Sequence, residues 1–596
     1  MDYACSTISS ITAAALPKEI TPRIFVSARK RAVEDFILVW LDGNIDQESD
    51  NAHSIIKHFR QIVHEIQTFT SVQECVNAVT DVKEEKVIIV VSTELSSIVV
   101  PILHPLSVVD SIYVLCNQNN TDNDKLLIIT HRKVKGIFVD TQLLCEHLKT
   151  NMTQSKHDLL TFEFAGSTIQ KRLDDGEDKQ EATFMYFQLF KEILLTMKDD
   201  EDDDDDDDDN SLTEMIKYCQ SQYVDNNQEL ERIAEVERSF TPAAAVWWYT
   251  RDSFVYKIIN KALRTQDFDA LFAMRFFIRG LHEQLVELHK RSSDGSILTL
   301  YRGQGLFNAD FEQLASKQGG LLSINNFLST TTDPDVANVY VPREDPEKTP
   351  VLMIIRAALS KSMNVPFADI DAFSQFSGNE KEWLFSMGSV FRIDSLKRQR
   401  DDEVWTVELT LTSDKDPQLT QLTDHMRKKL VDTNPFVQLG RLMVEMGAFE
   451  RAKSFFQRSL ETEAWSFRCS AIFINLGAVH SELRDLDKAL NYYQLGLSQS
   501  LHDFPEDHPR LSPIYNNIGS IHWKQGKHEL ALEYYQKALK TALAAPRPNQ
   551  EFIANRYNNI ATVLSFEYFI LSLIRQHKQT CFVDEISERI HIWDAG

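Results

Sequence analysis

Short apolar runs alternate with helical patterns over residues 34–150 of the chain. The apolar runs predict buried strands at 36–41, 86–91, 111–115 and 136–139. Between the first two strands, residues 51–66 and 71–82 carry apolar side chains at helical spacing, with Ser71 as the predicted cap of the second helix. This rhythm predicts an α/β doubly wound sheet over residues 31–155, preceded by a flexible N-terminus at 1–30.

One polar residue stands at the predicted ligand-binding edge of this sheet. Asp42 follows the first strand, at the strand end where ligands of such folds bind. A lone Asp in that place is more often a turn residue, and the segment has no Gly-rich phosphate loop. We therefore interpret residues 31–155 as an interaction module.

Helical patterns and then strand patterns follow over residues 180–415. Helices are predicted at 184–197, 212–219, 227–240, 248–264 and 268–291. Strands are predicted at 298–302, 326–331, 351–357, 381–385, 390–395 and 404–411. Helices followed by a run of strands indicate an α+β domain. Three adjacent aromatic residues, Trp247 to Tyr249, are interpreted as core and rim of a helix rather than as a surface that stacks on a base.

The C-terminal region, residues 430–575, repeats one helical-hairpin pattern. A small residue recurs at positions 440, 477, 519 and 561, at intervals of 37, 42 and 42 residues. In the first three copies an Ala and an aromatic residue follow, namely Ala452 and Phe456, Ala489 and Tyr493, and Ala531 and Tyr535. This period predicts an all-α tetratricopeptide solenoid, in which the small residues let paired helices approach closely. The fourth copy departs from the pattern, with Leu573 and His577 at the later positions, and the tail at 576–596 has no assignment.

Acidic residues dominate the charge of the chain. The formal net charge is −25, and ten Asp and one Glu run without interruption from Asp199 to Asp209. Like charges repel and cannot pack, so residues 199–210 are predicted to form a disordered acidic loop, with binding of a metal or a basic protein as the alternative. No basic stripe offsets the acidity, which argues against nucleic acid as a partner.

Cysteine spacing and hydropathy indicate the compartment. The seven Cys residues are scattered singly with no CxxC, so we expect no metal site and no disulfide framework, and a reducing compartment. No run of eighteen apolar residues occurs, so no membrane span is expected, and the N-terminus does not have the pattern of a cleaved signal peptide. We therefore expect a cytoplasmic location.

Three polar motifs stand on or beside predicted strands of the central region. They are Leu300-Tyr-Arg-Gly303, Phe327-Leu-Ser-Thr-Thr-Thr-Asp333 and Glu380-Lys-Glu382. Because alternate side chains of a strand share a face, Glu380 and Glu382 are expected side by side, with Lys381 pointing away. Such a pair suits a reaction whose transition state is a sugar cation, since one carboxylate stabilises the cation and the other accepts a proton from the nucleophile. Arg302 offers a rigid fork of donors suited to a diphosphate.

In this order the motifs resemble those of the arginine-specific mono-ADP-ribosyltransferases, the Arg, Ser-Thr-Ser, Glu-x-Glu class that uses NAD. The resemblance implies an ADP-ribosyltransferase fold for residues 180–415, with NAD or NADP as co-substrate and no metal. It also implies that Arg302 grips the NAD phosphates, Ser329 contacts the nicotinamide ribose and Glu382 holds the ribose hydroxyl as the glycosidic bond breaks. Glu380 is then the residue that orients or deprotonates the acceptor arginine.

Further residues of the motifs follow from the same resemblance. Gly303 and Thr330 are expected at the NAD-binding surface, and Thr331 stands where the family usually has a second Ser. Residues 367–379 hold three Phe and one Gly, like the family's substrate-recognition loop. Within this loop Phe373 or Phe376 either stacks on nicotinamide or on the acceptor guanidinium, or belongs to the core, and Phe376 is the candidate NAD contact.

The C-terminal repeats resemble those of the kinesin light chain type. The leading hypothesis is an NAD(P)+–protein-arginine ADP-ribosyltransferase, a glycosyltransferase that modifies a protein with an accessible arginine, while the repeats bind peptide or protein partners. The alternatives are an NAD glycohydrolase and a non-catalytic tetratricopeptide scaffold with an inactive transferase domain. Each motif alone is an ordinary surface or turn feature, but their occurrence in order favours the enzyme. Glu380 favours transfer over hydrolysis, because a guanidinium needs a carboxylate to orient it and relieve its charge.

Overall fold

A computed structural model describes most of the chain. The described residues are 34–45, 50–83, 85–116, 128, 130–165, 175–197, 211–251, 253–342, 345–360, 365–375, 381–398, 404–413, 416–432, 434–462 and 469–566. Contacts divide the chain into two compact units, Met1–Thr423 and Asp424–Gly596. The acidic run at 199–209 and the tail at 576–596 lie outside the described residues.

The first sheet of the larger unit is parallel. Its strands are β1 (Phe36–Leu41), β2 (Glu65–Phe69), β3 (Lys86–Ser92), β4 (Val109–Leu115) and β5 (Val134–Phe138), in the order β2-β1-β3-β4-β5. The helices are α1 (Asp50–Arg60), α2 (Val72–Asp81), α3 (Thr93–Leu103) and α4 (Thr141–Asp158). Every residue of β1 is buried, alternating between two apolar cores on opposite faces of the sheet. A strand covered on both faces has to be apolar throughout, which explains the continuous runs in the sequence.

Strand β2 differs from the sequence-based expectation. The predicted helix at 51–66 ends at Arg60, and residues 65–69 form a strand beside β1. Ile62, Val63 and Ile66 continue the helical spacing of apolar residues, but the first two are buried in the turn and Ile66 lies in the strand. Periodicity alone cannot separate a helix from a turn and strand when both bury the same side chains.

The second sheet is mostly antiparallel. Its strands are β6 (Phe162–Ala165), β7 (Ile297–Phe307), β8 (Leu321–Ile324), β9 (Leu328–Thr331), β10 (Lys348–Ala358), β11 (Phe367–Asp369), β12 (Glu382–Phe385), β13 (Ser389–Arg398) and β14 (Trp405–Leu411). The order is β11-β12-β9-β7-β10-β14-β13-β8-β6. Among the described strands of this second sheet, only the β10–β14 pair is parallel. The sequence predicted six of these strands and missed β6, β8 and β11, which have three or four residues each.

Helices precede and interrupt this sheet. They are α5 (Asp175–Thr196), α6 (Ser211–Gln222), α7 (Asn227–Ser239), α8 (Ala245–Thr250), α9 (Phe254–Thr265), α10 (Phe268–Ala273), α11 (Arg275–Ser292), α12 (Asn308–Ser316) and α13 (Pro334–Val339), with a 3-10 turn at Pro242–Ala244. The predicted single helices at 248–264 and 268–291 are each split in two. The first breaks at Arg251, whose backbone is extended, and the second at Met274, whose ψ of 7° departs from helical geometry.

Helix α9 joins the two sheets of the larger unit, and we name it the bridging helix. Lys257 Nζ lies 2.9 Å from Glu34 Oε1, and both side chains are buried. Lys261 Nζ lies 2.8 Å from a carboxylate oxygen of Glu85, at the start of β3. Because a buried charge is stable only when paired, these contacts fix the first sheet to the helix.

Strand β6 extends the second sheet at its edge. It pairs antiparallel with β8 and carries Glu163, which is 8% exposed and accepts a hydrogen bond from Gln266. Burial raises the pKa of Glu163 to about 7.

The C-terminal unit consists of helical hairpins. Its helices are α14 (Pro417–Leu430), which begins before the unit boundary, α15 (Pro435–Glu445), α16 (Phe449–Thr462), α17 (Cys469–Glu482), α18 (Leu486–Asp503), α19 (Ser512–Lys524), α20 (His528–Leu543) and a helix at 550–566, with a 3-10 turn at Pro509–Leu511. A Cβ on Gly477 would lie 2.7 Å from the ring of Tyr493 on the next helix. Equivalent close approaches join Gly440 to Phe456 and Gly519 to Tyr535, so each small residue faces the aromatic residue of its own hairpin. None of the helices in the described ranges combines the length and apolar character needed to cross a bilayer.

Candidate active site

The three polar motifs occupy neighbouring strands of the second sheet. Strand β9 lies between β7, which carries Arg302, and β12, which begins at Glu382. Thr331 is opposite Tyr301 on one side and opposite Glu382 on the other. Residues that are 80 positions apart in the chain therefore meet within three adjacent strands.

Two hydrogen bonds to described residues help to fix Arg302. The residue is 5% exposed, and its Nη1 donates to the carbonyl oxygen of Ser329 at 2.8 Å. Nε donates to Oε1 of Gln304 at 3.0 Å. Gln304 is two residues further along β7, so its side chain shares a face with that of Arg302. The guanidinium plane is thus held at two of its edges.

Ser329 connects the arginine to the acidic motif. Its hydroxyl donates to Oε1 of Glu382 at 2.6 Å, while its carbonyl accepts from Arg302. Ser329 and Glu382 are both half-buried. A hydroxyl bonded to a carboxylate at this distance makes a strong, charge-assisted contact. The structure therefore brings Arg302, Ser329 and Glu382 into one hydrogen-bonded series.

Thr330 and Gly303 contact other neighbours and are not part of this series. The hydroxyl of Thr330 donates to the carbonyl oxygen of Trp383, and Thr330 is 4% exposed. A Cβ on Gly303 would lie 2.0 Å from the carbonyl oxygen of Ala337, in helix α13. Both positions hold neighbouring elements against the strands that carry Arg302 and Ser329, and an NAD contact by either residue remains a prediction.

The acidic motif differs from the expected extended strand. Strand β12 begins at Glu382, and Lys381 has a φ of 45°, in the left-handed region. The extended backbone expected at Lys381 is therefore not found, while the placement of Glu380 beside Glu382 stays a prediction. Lys381 Nζ lies 3.4 Å from a carboxylate oxygen of Asp333. Glu380 and Phe376 lie outside the described residues, whereas Phe373 is described and 40% exposed.

Asp333 closes the middle motif and begins helix α13. Its carboxylate accepts from the backbone amide of Asp335, which lowers the pKa of Asp333, and Lys381 adds to that effect. An ionised carboxylate at a helix N-terminus is favoured by the helix dipole.

An aromatic and amide layer lies behind the strand of Ser329. The ring of Tyr249 packs 5.2 Å from that of Phe327, and its hydroxyl donates to Oδ1 of Asn260 at 3.1 Å. Asn260, on the bridging helix, also accepts from the side chain of Asn326. Burial raises the pKa of Tyr249, with smaller contributions from Tyr256 and Glu382, so its hydroxyl stays protonated.

The aromatic triplet agrees with the interpretation as core and rim. Trp248 and Tyr249 are 3% and 4% exposed, whereas Trp247 is 37% exposed. Sequence reasoning did not include Tyr249 or Gln304 in the site. The signal for Gln304 was present, because the Arg-x-Gln spacing on a strand places both side chains on one face. No comparable signal exists for Tyr249, which reaches the site through tertiary packing.

The chemistry of this site is that of a fixed cation beside a fixed carboxylate. Arg302 suits an anionic group such as a diphosphate, and Glu382 suits a positive charge that develops nearby. No cluster of three or more His, Cys, Asp or Glu side chains arranged for a metal ion occurs in the described ranges.

Comparisons with solved structures give distant likenesses. The chain is similar to BtubC from P. vanneervenii, with 25% identity, a TM-score of 0.21, and 22% of this chain and 54% of that chain covered. It is similar to the ADP-ribosyltransferase HopU1 of Pseudomonas syringae pv. Tomato DC3000, with 18% identity, a TM-score of 0.24, and 41% and 100% covered. It is also similar to the Clostridium limosum C3 exoenzyme, with 14% identity, a TM-score of 0.23, and 33% and 94% covered. The chain thus spans about half the length of BtubC, and no likeness here is close enough to indicate a substrate.

Family models give the clearer result. No curated protein matches the chain. Residues 510–567 match the tetratricopeptide repeat model, and residues 195–416 match the model described as NAD:arginine ADP-ribosyltransferase. The second match contains Arg302, Ser329 and Glu382. The chain therefore carries an ADP-ribosyltransferase domain, of a family that uses NAD as a substrate, together with a tetratricopeptide repeat.

Proposed function

We propose that this chain transfers ADP-ribose from NAD to arginine side chains of proteins and releases nicotinamide. The observation that carries the proposal is the hydrogen-bonded series of Arg302, Ser329 and Glu382, across three adjacent strands inside the region that matches the transferase family. A guanidinium and a carboxylate held by one serine place a phosphate-binding group and a cation-stabilising group at a fixed separation. This is the arrangement that cleavage of a nucleotide sugar bond requires.

NAD supplies the ADP-ribosyl group and nicotinamide as the leaving group. In the proposed step the bond between the ribose carbon and the nicotinamide nitrogen breaks, and its electron pair leaves with nicotinamide. A nitrogen of the acceptor guanidine forms the new bond to that carbon, and one guanidinium proton passes to a carboxylate, for which Glu380 is the candidate. The charge of Glu382 acts on the ribose as it becomes cationic, so its contribution is larger in the transition state than in the ground state.

Arg302 is assigned to the NAD diphosphate. A guanidinium is always ionised and presents its donors as a planar fork, which matches two phosphate oxygens. Ser329 holds the carboxylate of Glu382 through its hydroxyl and orients Arg302 through its carbonyl. One residue thus links the group that binds the substrate to the group that promotes the reaction.

The tetratricopeptide helices are proposed to recruit the protein substrate. A cavity of about 500 Å³ lies among the first helices of the hairpins and is lined by Tyr493, Asn517 and Lys524, among others. Stacked hairpins of this kind present a concave surface suited to an extended peptide. The long intervals between repeats support the kinesin light chain type.

Release of nicotinamide tests this function directly. The full chain is incubated with NAD, with and without agmatine, a small guanidine. Release that depends on agmatine supports transfer to arginine, release regardless of agmatine indicates NAD glycohydrolysis, and no release indicates a scaffold. Mass spectrometry of a lysate treated with labelled NAD then locates the modified side chains, and modification of residues other than arginine would overturn the acceptor assignment.

The role of Glu380 has its own test. Glu380→Gln should depress transfer to agmatine more than hydrolysis of NAD, because only transfer requires a carboxylate beside the acceptor. An equal loss of both activities would contradict that role.

A further inference from the structure

Gln304 has a fully buried side-chain amide, of which, among the described residues, the oxygen is hydrogen-bonded and the nitrogen is not. Its side chain is 0% exposed, and its Oε1 accepts from Nε of Arg302. Its Nε2 has no hydrogen-bond partner within the described part of the chain. A buried amide donor without a partner lowers stability. The fold therefore retains this amide although half of it is unsatisfied.

The chemistry of the oxygen explains why an amide is retained. The guanidinium of Arg302 has its Nε acceptor in Gln304, and three side chains of similar length can be compared at this position. Methionine would remove the unpaired donor but offers only a weak acceptor. Glutamate would supply a strong acceptor, but its buried negative charge would cancel the positive charge of Arg302. Of these three side chains, the carboxamide accepts from the guanidinium without adding a negative charge beside it.

We propose that Gln304 is a positioning residue for substrate binding, which fixes Arg302 toward the diphosphate of NAD without neutralising it. The inference rests on the proposed function, because it takes the diphosphate as the ligand of Arg302. Nη1 bonded to Ser329 and Nε bonded to Gln304 constrain the guanidinium at two edges. Loss of the Gln304 contact removes one of the constraints on the guanidinium, and a less constrained group costs affinity on binding.

Two variants separate orientation from charge. Gln304→Met removes both the acceptor and the unpaired donor, and we expect the KM for NAD to rise about tenfold while kcat at saturating NAD is kept, since the change affects binding alone. Gln304→Glu keeps the acceptor and adds a negative charge, and we expect a larger rise in KM than for Gln304→Met. ADP-ribose retains the diphosphate and lacks nicotinamide, so its inhibition constant should rise by the same factor as KM.

Stability distinguishes this role from an ordinary packing role. Gln304→Met removes an unsatisfied donor but also leaves Nε of Arg302 without this acceptor, so its thermal unfolding midpoint should fall less than that of a variant that only loses hydrogen bonds. The matched control is Gln284, also buried, whose Oε1 accepts from the backbone of Val246 and whose Nε2 donates to the backbone of Ala243. Gln284→Met leaves both backbone groups unpaired and should lower the midpoint.

The outcomes are distinct. A raised KM for Gln304→Met, with a midpoint that falls less than that of Gln284→Met, supports the inference. An unchanged KM in both Gln304 variants overturns it while the proposed function stands. A fall in the midpoint as large as that of Gln284→Met, together with a loss of kcat, indicates a structural role and also overturns it. A natural chain that neither binds NAD nor releases nicotinamide removes the proposed function and this inference together.

Discussion

The contact between Ser329 and Glu382 gives the sharpest test of the site. Ser329→Ala removes the hydroxyl that donates to Glu382 at 2.6 Å and leaves in place the backbone carbonyl that accepts from Arg302. A hydrogen bond to a charged group contributes about 1.5–3 kcal/mol, and half-burial of both residues favours the lower value. About 1.5 kcal/mol of lost transition-state stabilisation corresponds to a fall in kcat of roughly tenfold. The KM for NAD should change less than kcat, because the backbone carbonyl of Ser329 still accepts from Arg302.

The assay is steady-state release of nicotinamide with agmatine as acceptor. Ser329→Thr keeps a hydroxyl and should recover most of the activity. The matched control is Ser395→Ala, because Ser395 donates to Glu408 at 2.7 Å in the same sheet, on strands β13 and β14. That variant removes a similar bond away from the candidate site and should leave kcat unchanged. Equal kcat for Ser329→Ala and the natural chain would refute the reasoning, as would an equal loss in Ser395→Ala.

Three further predictions concern Glu382, Glu163 and Gly477. Glu382→Gln should lower kcat for nicotinamide release by about 10²–10³-fold with NAD affinity nearly kept in calorimetry, since only charge matched to the transition state is lost, and unchanged turnover would contradict its assignment. Because burial raises the pKa of Glu163 to about 7, the free energy of unfolding should fall as pH rises from about 4.5 to 7, and Glu163→Gln should be more stable than the natural chain above pH 7 by up to about 3 kcal/mol in urea titrations. If the two chains show the same pH dependence, the carboxyl is not buried as described. Gly477→Ala should destabilise the chain by about 1–3 kcal/mol, because its Cβ would meet the ring of Tyr493, and a gain in stability, as expected for Ala at an open helical position, would refute the close approach.

The strands that hold the Arg and Ser-Thr-Thr motifs were predictable from the sequence, whereas the backbone conformation at the acidic motif was not. The Arg and Ser-Thr-Thr motifs lie on strands that periodicity predicts, and both strands are present as β7 and β9. The backbone at Lys381 differs from the extended strand that the sequence predicted. Its left-handed φ of 45° has no signal in a sequence of alternating Glu and Lys, because that conformation is imposed by the chain around it. The alternation rule predicts side-chain direction only where the backbone is extended.

Short strands and breaks within helices were also not predictable from the sequence. Strand β11 has three residues and β8 has four, which leaves little room for a period of two, whereas the equally short β9 and β12 lie within longer predicted segments, 326–331 and 381–385. The helix break at Met274 lies inside a continuous apolar pattern, so no change in hydropathy indicates it. Tertiary packing decides these features, whereas the small and aromatic residues of the C-terminal hairpins were predictable because Gly477 and Tyr493 must meet in any close-packed hairpin.

The bridging helix determines how far the chain can be shortened. A polypeptide that starts at residue 195, where the family match begins, would lack Glu34, the carboxylate nearest to Lys257, and Glu85, which pairs with Lys261, while Lys257 would keep Glu229 at 3.9 Å. Removing one partner of a buried ion pair costs about 3–5 kcal/mol, which is comparable to the whole stability of many domains. The same helix holds Asn260 behind Tyr249, so its loss of order would spread to the strand that carries Ser329. We therefore expect a stable form of the larger unit to need residues that precede the family match, as far back as Glu34.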